Sequence, residues 1–398
     1  MDLIGWVIFL VALLFSVMLH ESGHFVMAKK FGMKATRYFV GFGPTLWSTQ
    51  RGETEYGIKA IPAGGFVKII GMHSLDDVDD PADEPRSFRR QPAWQRIVVL
   101  CAGSFMHFLL AFLLIFGLAV GIGIENDNTT QLGTISPCVA TSVAQLNAGT
   151  CSASDQASPA KQAGLRVGDQ VTAFDGTPVS NWTQLGNAIR RAPAGQAATI
   201  TVKRDGKDVT LHTTLASVRG RSGSYLGIAP AVVFQVANPI RAVQYAGSSF
   251  GQVVVGSAKA VAALPAALPK DFGKHRASTA GGQVTSVIGA AQATGDAVAA
   301  NVGWQYKVSF VLLLIASLNI FVGAFNLLPL LPLDGGHVAA IAWERIRAWF
   351  ARVRHRPDPG LVDMSKLMPV MFSLFMVLLF FGLVVIAADI VNPLNIAG

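Results

Sequence analysis

The chain has 398 residues, of which 51% are hydrophobic and only 14% are charged, and its formal net charge is +8. This composition excludes an ordinary soluble globular protein and predicts an integral membrane protein with a soluble insert. No nucleic-acid-binding motif accompanies the basic residues, so we interpret the charge as a signal of membrane topology and expect no nucleic-acid partner.

Four apolar segments are long enough to span a bilayer, and they cover about residues 3–27, 97–122, 308–328 and 367–391. The first segment has no basic region before it and no small-residue cleavage site. It is therefore expected to stay in the mature protein instead of acting as a removable signal peptide.

The first span ends in His20-Glu21-Ser22-Gly23-His24, which fits the pattern H-E-x-x-H. Two histidines four residues apart lie on one face of a helix, so both imidazoles can bind one ion. Glu21 is not expected to be a ligand, because a carboxylate at this place usually moves protons between water and the leaving amine. The pattern predicts zinc hydrolysis. The alternative is a hydrogen-bonded polar cluster that only holds membrane helices together.

Basic residues predict the orientation. The connection between the first two spans carries eleven Lys or Arg residues, and the connection between the last two spans carries six. By the positive-inside rule both connections are cytoplasmic and both termini are extracytoplasmic. His20 then lies in the cytoplasmic third of the bilayer.

The connection after the first span contains two different stretches. Residues 38–70 alternate apolar and polar side chains with many glycines, which predicts short hairpins. These hairpins either dip toward the active site and hold an extended substrate by strand addition, or they only pack against the helix ends. Residues 76–85 are acidic and proline-containing, which predicts a solvated linker, and residues 87–96 suit a segment that contacts membrane lipid.

The insert between the second and third spans has a specific order of elements. A short helix leads into Gly164-Leu165-Arg166-Val167-Gly168-Asp169, followed by a strand, a tight Asp-Gly turn, a helix at 182–191 and a hairpin at 198–215. This order resembles a PDZ domain of the bacterial type, which would bind a peptide or serve only as a spacer. Cys138 and Cys151 both fall in this insert, and an even pair in an oxidising compartment predicts a disulfide. Cys101 lies in the second span and is expected to stay reduced.

The third span ends in a stretch from Asn326 to His337 that contains Pro329 and Pro332. Two prolines break a helix, and irregular backbone at membrane depth occurs only where protein buries it or water reaches it. Asp334 at this break can complete a set of two histidines and one carboxylate on zinc. Taken alone, Asp334 is more often a helix cap, and His337 is more often a packing or supporting residue.

These features together resemble the site-2 protease family of intramembrane metalloproteases. The similarity covers essentially the whole chain, and the single PDZ domain with a cysteine pair is similar to the actinobacterial members, not to the two-PDZ enterobacterial type. The resemblance implies Zn²⁺ held by His20, His24 and Asp334, with Glu21 as base. It also implies that Asn326 and Pro329 line the substrate path. The implied substrates are transmembrane anti-sigma factors, cut after a first cleavage outside, in the plasma membrane of a bacterium.

One motif departs from the family pattern. The second span of the family usually contains G-P-x-x-N, and this chain has Gly103-Ser104-Phe105-Met106-His107 in its place. His107 either forms the hydrogen bonds that asparagine usually forms or only packs against its neighbours.

The predicted fold is a polytopic α-helical membrane protein with four transmembrane helices, a cytoplasmic or membrane-dipping β-hairpin loop and an extracytoplasmic PDZ (α+β) insert. Its predicted function is an intramembrane zinc metalloendopeptidase. The alternative functions are a catalytically silent membrane-bound PDZ scaffold and a metal transporter. In chain order the predicted segments are helix 1 (1–28), the hairpin loop and acidic linker (29–96), helix 2 (97–124), the PDZ domain (129–222), an extracytoplasmic helical or linker region (223–303), helix 3 (304–337), a cytoplasmic loop (338–366) and helix 4 (367–391).

Overall fold

The structure is a computed structural model. It describes residues 3–72, 80–126, 128–141, 151–152, 155–218, 223–271, 286–300, 302–362 and 367–391, with side chains left out at 260–271. The chain forms two compact units. Unit 1 contains Met1–Gly121 and Asn238–Gly398, and unit 2 contains Ile122–Ala237.

The described helices are α1 (Leu3–Lys30), α2 (Ala93–Gly121), α3 (Pro159–Gln162), α4 (Trp182–Arg191), α5 (Pro239–Asp271), α6 (Val287–Ala299), α7 (Trp304–Asn326), α8 (Asp334–Val353) and α9 (Met368–Val391). Two short 3₁₀ helices cover Pro81–Arg86 and Phe88–Arg90. The strands are β1 (Ala35–Arg51), β2 (Thr54–Ile69), β3 (Ile124–Asn126), β4 (Leu132–Ile135), β5 (Gln170–Phe174), β6 (Thr177–Pro178), β7 (Ala197–Arg204), β8 (Lys207–Thr214), β9 (Ile228–Pro230) and β10 (Val233–Gln235).

Within the described part of the chain, four helices are long and apolar enough to cross a membrane, namely α1, α2, α7 and α9. They correspond to the four predicted spans, which supports the prediction of a polytopic membrane protein. Helices α1 and α2 approach closely at Gly23, where an added Cβ would lie 2.4 Å from the carbonyl oxygen of Ala102. Glycine at this contact lets the two backbones meet, as small residues do between membrane helices.

Strands β1 and β2 form one long antiparallel hairpin, paired from Ala35 with Ile69 to Arg51 with Thr54. The sequence predicted several short hairpins here. The glycines that suggested separate turns instead accompany register shifts within one pair of strands, for example between Phe42 and Thr45. Residues 76–79 of the predicted acidic linker lie outside the described residues, and the remainder of the linker contains most of the 3₁₀ helix Pro81–Arg86.

Unit 2 is built on a four-stranded antiparallel sheet in the order β6-β5-β7-β8. Its core includes Val171 and Ile200 from the sheet and Leu185 from α4, all fully buried. Asp169 accepts two hydrogen bonds from the Arg204 guanidinium, at 2.7 and 2.6 Å. A disulfide joins Cys138 and Cys151, whose Cα atoms are 6.0 Å apart, and Cys101 is a free thiol in α2.

Unit 2 extends beyond the predicted PDZ boundaries of 129 and 222. Strand β9 pairs with β4, and β10 pairs with β3, so residues up to Ala237 belong to the same compact unit. Strands β9 and β10 have only three residues each, which is too short for a recognisable alternating pattern in the sequence.

Two other segments also differ from the sequence-based description. The region predicted as a cytoplasmic loop at 338–366 contains most of helix α8. The helix of the third span ends at Asn326, so Asp334 begins a new helix and does not extend the third span to residue 337. The prolines between these helices explain the end of α7.

Candidate metal centre

Asp334 owes its position to the break between α7 and α8. Residues 327–333 are not helical, and they contain Pro329 and Pro332, which cannot donate backbone hydrogen bonds. Gly335 packs directly against this segment, since an added Cβ would lie 2.3 Å from the carbonyl carbon of Leu327. The chain therefore folds tightly back on itself, and Asp334 stands at the first position of α8.

Three side chains converge at this point. The distance from Asp334 Oδ2 is 3.3 Å to His20 Nε2 and 3.4 Å to His24 Nε2, and the two Nε2 atoms are 3.0 Å apart. Among the described residues, His20, His24 and Asp334 are the group of histidine and carboxylate side chains whose ligand atoms lie close enough together to hold one metal ion. They come from opposite ends of the chain and lie in helices of unit 1.

The donor set fits a zinc ion. Ligand atoms about 2.0–2.1 Å from zinc in a tetrahedral site lie roughly 3.3 Å from each other, which matches the separations observed here. His24 Nδ1 lies 2.8 Å from the carbonyl oxygen of Val99. Because a carbonyl only accepts, Nδ1 carries the proton and Nε2 of the neutral ring presents its lone pair to the site. Asp334 Oδ2 is buried and has no hydrogen-bond partner, which a cation would provide.

Glu21 lies next to the ligands without joining them. Its Oε2 accepts a hydrogen bond of 3.1 Å from the backbone N–H of Val67 on β2. The hairpin is fixed to the same turn of α1, because Tyr38 OH lies 2.7 Å from Ser22 Oγ and donates to the Met18 carbonyl at 2.9 Å. Glu21 is therefore held in place by the hairpin and is not part of the ligand group.

Gly103 forms the wall behind the histidines. An added Cβ would lie 2.5 Å from His20 Cε1, 2.5 Å from His24 Nε2 and 2.7 Å from His20 Nε2. These distances are far below normal contact. The first position of the Gly103-to-His107 motif thus leaves room for the imidazoles.

His107 forms hydrogen bonds in addition to packing. Its Nδ1 lies 2.8 Å from Asn319 Oδ1 and 3.1 Å from Ser16 Oγ, and Ser16 also donates to Asn319 Oδ1. All three side chains are buried, and the His107 ring lies 4.9 Å from the His20 ring between centroids. This network ties α1, α2 and α7 together beside the candidate ligand His20.

The two residues expected along the substrate path lie before Asp334. Asn326 is the last residue of α7 and is half-buried, and Pro329 is exposed in the break that follows. His337 is half-buried one turn into α8 and is not in the ligand group. The role of Asn326 and Pro329 remains a prediction.

Comparison with known proteins identifies the family. A model described as peptidase family M50 matches residues 8–356. The chain belongs to peptidase family M50. Zinc metalloprotease Rip1 of Mycolicibacterium smegmatis is 37% identical to this M50 peptidase over 99% of the chain and 98% of the relative. Zinc metalloprotease Rip1 of Mycobacterium tuberculosis strain H37Rv is 36% identical over 98% of each protein.

A crystal structure of the PDZ domain of the SdrC-like protein from Listeria monocytogenes is also similar. The two sequences are 20% identical, and the match covers 25% of the M50 peptidase and 90% of the Listeria domain, with a TM-score of 0.17. A similarity at this level does not establish the fold of unit 2.

Family membership confirms three of the sequence-based predictions. The M50 peptidase is a site-2 protease family member, a zinc metalloprotease, and Zn²⁺ is its cofactor. Sequence reasoning missed the residues that hold the site in shape. Val67 and Val99 contribute only backbone atoms, so their side chains gave no signal. Ser16 and Asn319 could have been found from the sequence, because a polar side chain inside an apolar span is energetically costly and usually has a structural or functional role.

Proposed function

We propose that this M50 peptidase cleaves peptide bonds within the transmembrane segments of single-span proteins, with anti-sigma factors as the substrate class. One observation carries the proposal. The three ligand atoms converge beside Glu21 and between helices that are long and apolar enough to cross a bilayer. A metal donor set at membrane depth suits hydrolysis there, and the presence of both the ligands and Glu21 favours catalysis over a silent scaffold.

The proposed mechanism assigns a role to each residue. His20, His24 and Asp334 would hold zinc. When bound, zinc supplies Lewis-acid chemistry that makes water more acidic and polarises the scissile carbonyl. Glu21 takes the proton from the attacking water and later delivers it to the nitrogen of the leaving amine. The Val67 N–H keeps the Glu21 carboxylate directed toward this task.

A substrate helix must unwind before it can be cut, because its own hydrogen bonds shield each peptide bond. Strands β1 and β2 form a two-stranded sheet, so an extended substrate can add to a free edge of this hairpin. We assign the hairpin this alignment role, with Asn326 and Pro329 lining the approach to Asp334.

The proposed topology places both termini outside and the metal site toward the cytoplasm, because the connections after the spans α1 and α7 are rich in Lys and Arg. Unit 2 lies in the chain between two spans and is then extracytoplasmic, which suits its disulfide. We assign it as a PDZ domain that reads the outer segment of the substrate or excludes substrates with a bulky outer domain.

The deciding experiment compares purified wild-type protein with Glu21→Gln. Glutamine keeps an acceptor for Val67 but cannot carry the proton, so zinc content should remain at about one ion per chain while cleavage of a transmembrane model substrate is lost. Glu125→Gln, at an exposed position of strand β3, serves as the matched control and should cleave normally. Cleavage by Glu21→Gln at the wild-type rate would end the proposal. Proteomics of membrane fragments from cells with each variant would then test whether anti-sigma factors are the substrates.

A further inference from the structure

Helix α8 presents two different faces. Its buried face contains Ile341, Glu344 and Ala348. Glu344 Oε2 accepts a hydrogen bond of 2.7 Å from Arg96 Nη2 on α2, and both side chains are about nine-tenths buried, with exposures of 10% and 9%. A buried ion pair with short geometry fixes which side of α8 faces the protein.

The opposite face carries an apolar stripe. Its members are large hydrophobic side chains with exposures between 44% and 58%, namely Trp343, Ile346, Trp349, Phe350 and Val353. At 100° per residue they cover an arc of roughly 120°, centred about 170° from the buried face. An exposed apolar surface of this kind marks a site of contact with another molecule or with a membrane.

Arginines flank the stripe on both sides. Arg345 and Arg352 lie along one edge and Arg354 along the other, each roughly 80–120° from the centre of the stripe on the helical wheel. All three side chains are exposed. An apolar stripe with tryptophans and basic edges is typical of a helix that lies in the membrane interface, where rings sit at headgroup level and cations meet lipid phosphates.

Helix α8 is not one of the four candidate spans, although four other helices of the described chain are. Positive charge on both edges complements the phosphate of anionic lipids and offers no such match to a second copy of this basic protein. We propose that the stripe of α8 and its flanking arginines bind the anionic lipid surface of the bilayer. Asp334 is the first residue of this helix, so the lipid surface and α2 together hold the helix that supplies the third metal ligand.

The experiment measures the depth of α8 in a bilayer and does not depend on catalysis. In a Cys101→Ser background, Ile346→Cys carries an environment-sensitive fluorophore, and the full chain is reconstituted with lipids spin-labelled near the headgroup or near the bilayer centre. Two control positions calibrate the signal. Lys207→Cys is exposed in the hairpin of unit 2, and Met376→Cys is exposed in the interior of span α9, more than two turns from either end of the helix.

The probe at position 346 should be quenched more by the shallow label than by the deep one. The probe at 376 should be quenched more by the deep label, and the probe at 207 should be quenched by neither label. Quenching at 346 that matches position 207 would show that water covers the stripe. Quenching that matches position 376 would show a span, and protection from both lipid labels and aqueous iodide would show a protein partner. Each of these three results overturns the proposal.

The charge requirement is tested with headgroup-labelled phosphatidylglycerol against labelled phosphatidylcholine. We expect a severalfold stronger effect of the anionic lipid at position 346, because each arginine near an anionic surface adds a favourable contribution. The triple variant Arg345→Gln, Arg352→Gln and Arg354→Gln should lose this preference, and the matched triple lysine variant should keep it. An equal response to both lipids in the parent protein would refute anionic recognition.

Discussion

Substitution of Gly103 by alanine should remove zinc from the protein without unfolding it. The new Cβ would lie 2.5 Å from His24 Nε2 and 2.5 Å from His20 Cε1. Relief to an ordinary contact of 3.4 Å or more requires a movement of about 0.9 Å, whereas metal ligands keep their place within about 0.2 Å. A retreat of helix α2 would relieve the clash only by opening its close backbone contact at Ala102 with Gly23 of α1.

The displaced imidazoles include one whose Nδ1 is held by Val99, so the ring cannot shift without weakening that hydrogen bond. Loss of a supporting contact alone typically lowers metal affinity 10–100-fold. Displacement of two ligands should exceed this, and we expect zinc affinity to fall by at least about 100-fold, with cleavage lost in parallel.

The assay measures zinc content by mass spectrometry, zinc affinity by competition with a chelator, and thermal unfolding of the metal-free protein. Gly117→Ala is the matched control, because it lies in the same helix and an added Cβ there has no atom within 4 Å. The control should bind zinc normally and be as stable as wild type or slightly more stable, since alanine favours helix over glycine by up to about 1 kcal/mol. Equal zinc affinity in the Gly103 and Gly117 variants would refute the argument that Gly103 makes space for the ligands.

Three further predictions concern interactions outside the metal centre. His107→Leu should lower the free energy of unfolding by about 1–3 kcal/mol by leaving Asn319 without one of its hydrogen-bond donors, and His107→Asn should recover part of this loss in thermal unfolding experiments. In unit 2, the guanidinium that hydrogen-bonds Asp169 holds the pKa of this carboxyl below its ordinary value. The resulting stabilisation is complete above the unfolded-state pKa, near 4, and is lost as the pH falls through the lower folded-state pKa. The hydrogen-exchange protection factors of unit 2 should therefore fall in acid, and those of Asp169→Asn should depend less on pH. Replacing Cys138 and Cys151 by serine should lower the stability of unit 2 by about 3 kcal/mol through loss of loop closure, and mass mapping of the wild-type protein should find this pair linked; two free thiols there would contradict the pairing.

The candidate ligands could be identified in the sequence because local rules determine where they lie. The helical period places His20 and His24 on one face, and the prolines before Asp334 place that carboxylate at a helix start. The prediction that these three side chains meet came from combining two motifs more than three hundred residues apart. Hydrophobic periodicity alone does not show that such distant segments are in contact.

The surroundings of the site could not be predicted in the same way. Val67 and Val99 act through backbone atoms, and any side chain there would give the same hydrogen bond. Gly103 is essential only because two rings from another helix occupy the space beside it, and this contact depends on how α1 crosses α2. The prediction of a loop at 338–366 was wrong where helix α8 lies, because the arginines of this segment indicated membrane topology and obscured the helical spacing of the apolar residues between them.

The pairing of residues near position 20 with residue 334 has a consequence for biosynthesis. A nascent chain that has emerged only as far as α7 carries the two imidazoles without Asp334, so it lacks the third protein ligand of a catalytic zinc site. The donor set closes only after the whole of unit 2 has been synthesised and α8 has docked on α2 through Arg96 and Glu344. Peptide-bond hydrolysis is thus the last property that this polypeptide acquires, and an incompletely inserted chain in the membrane has no means of cutting its neighbours.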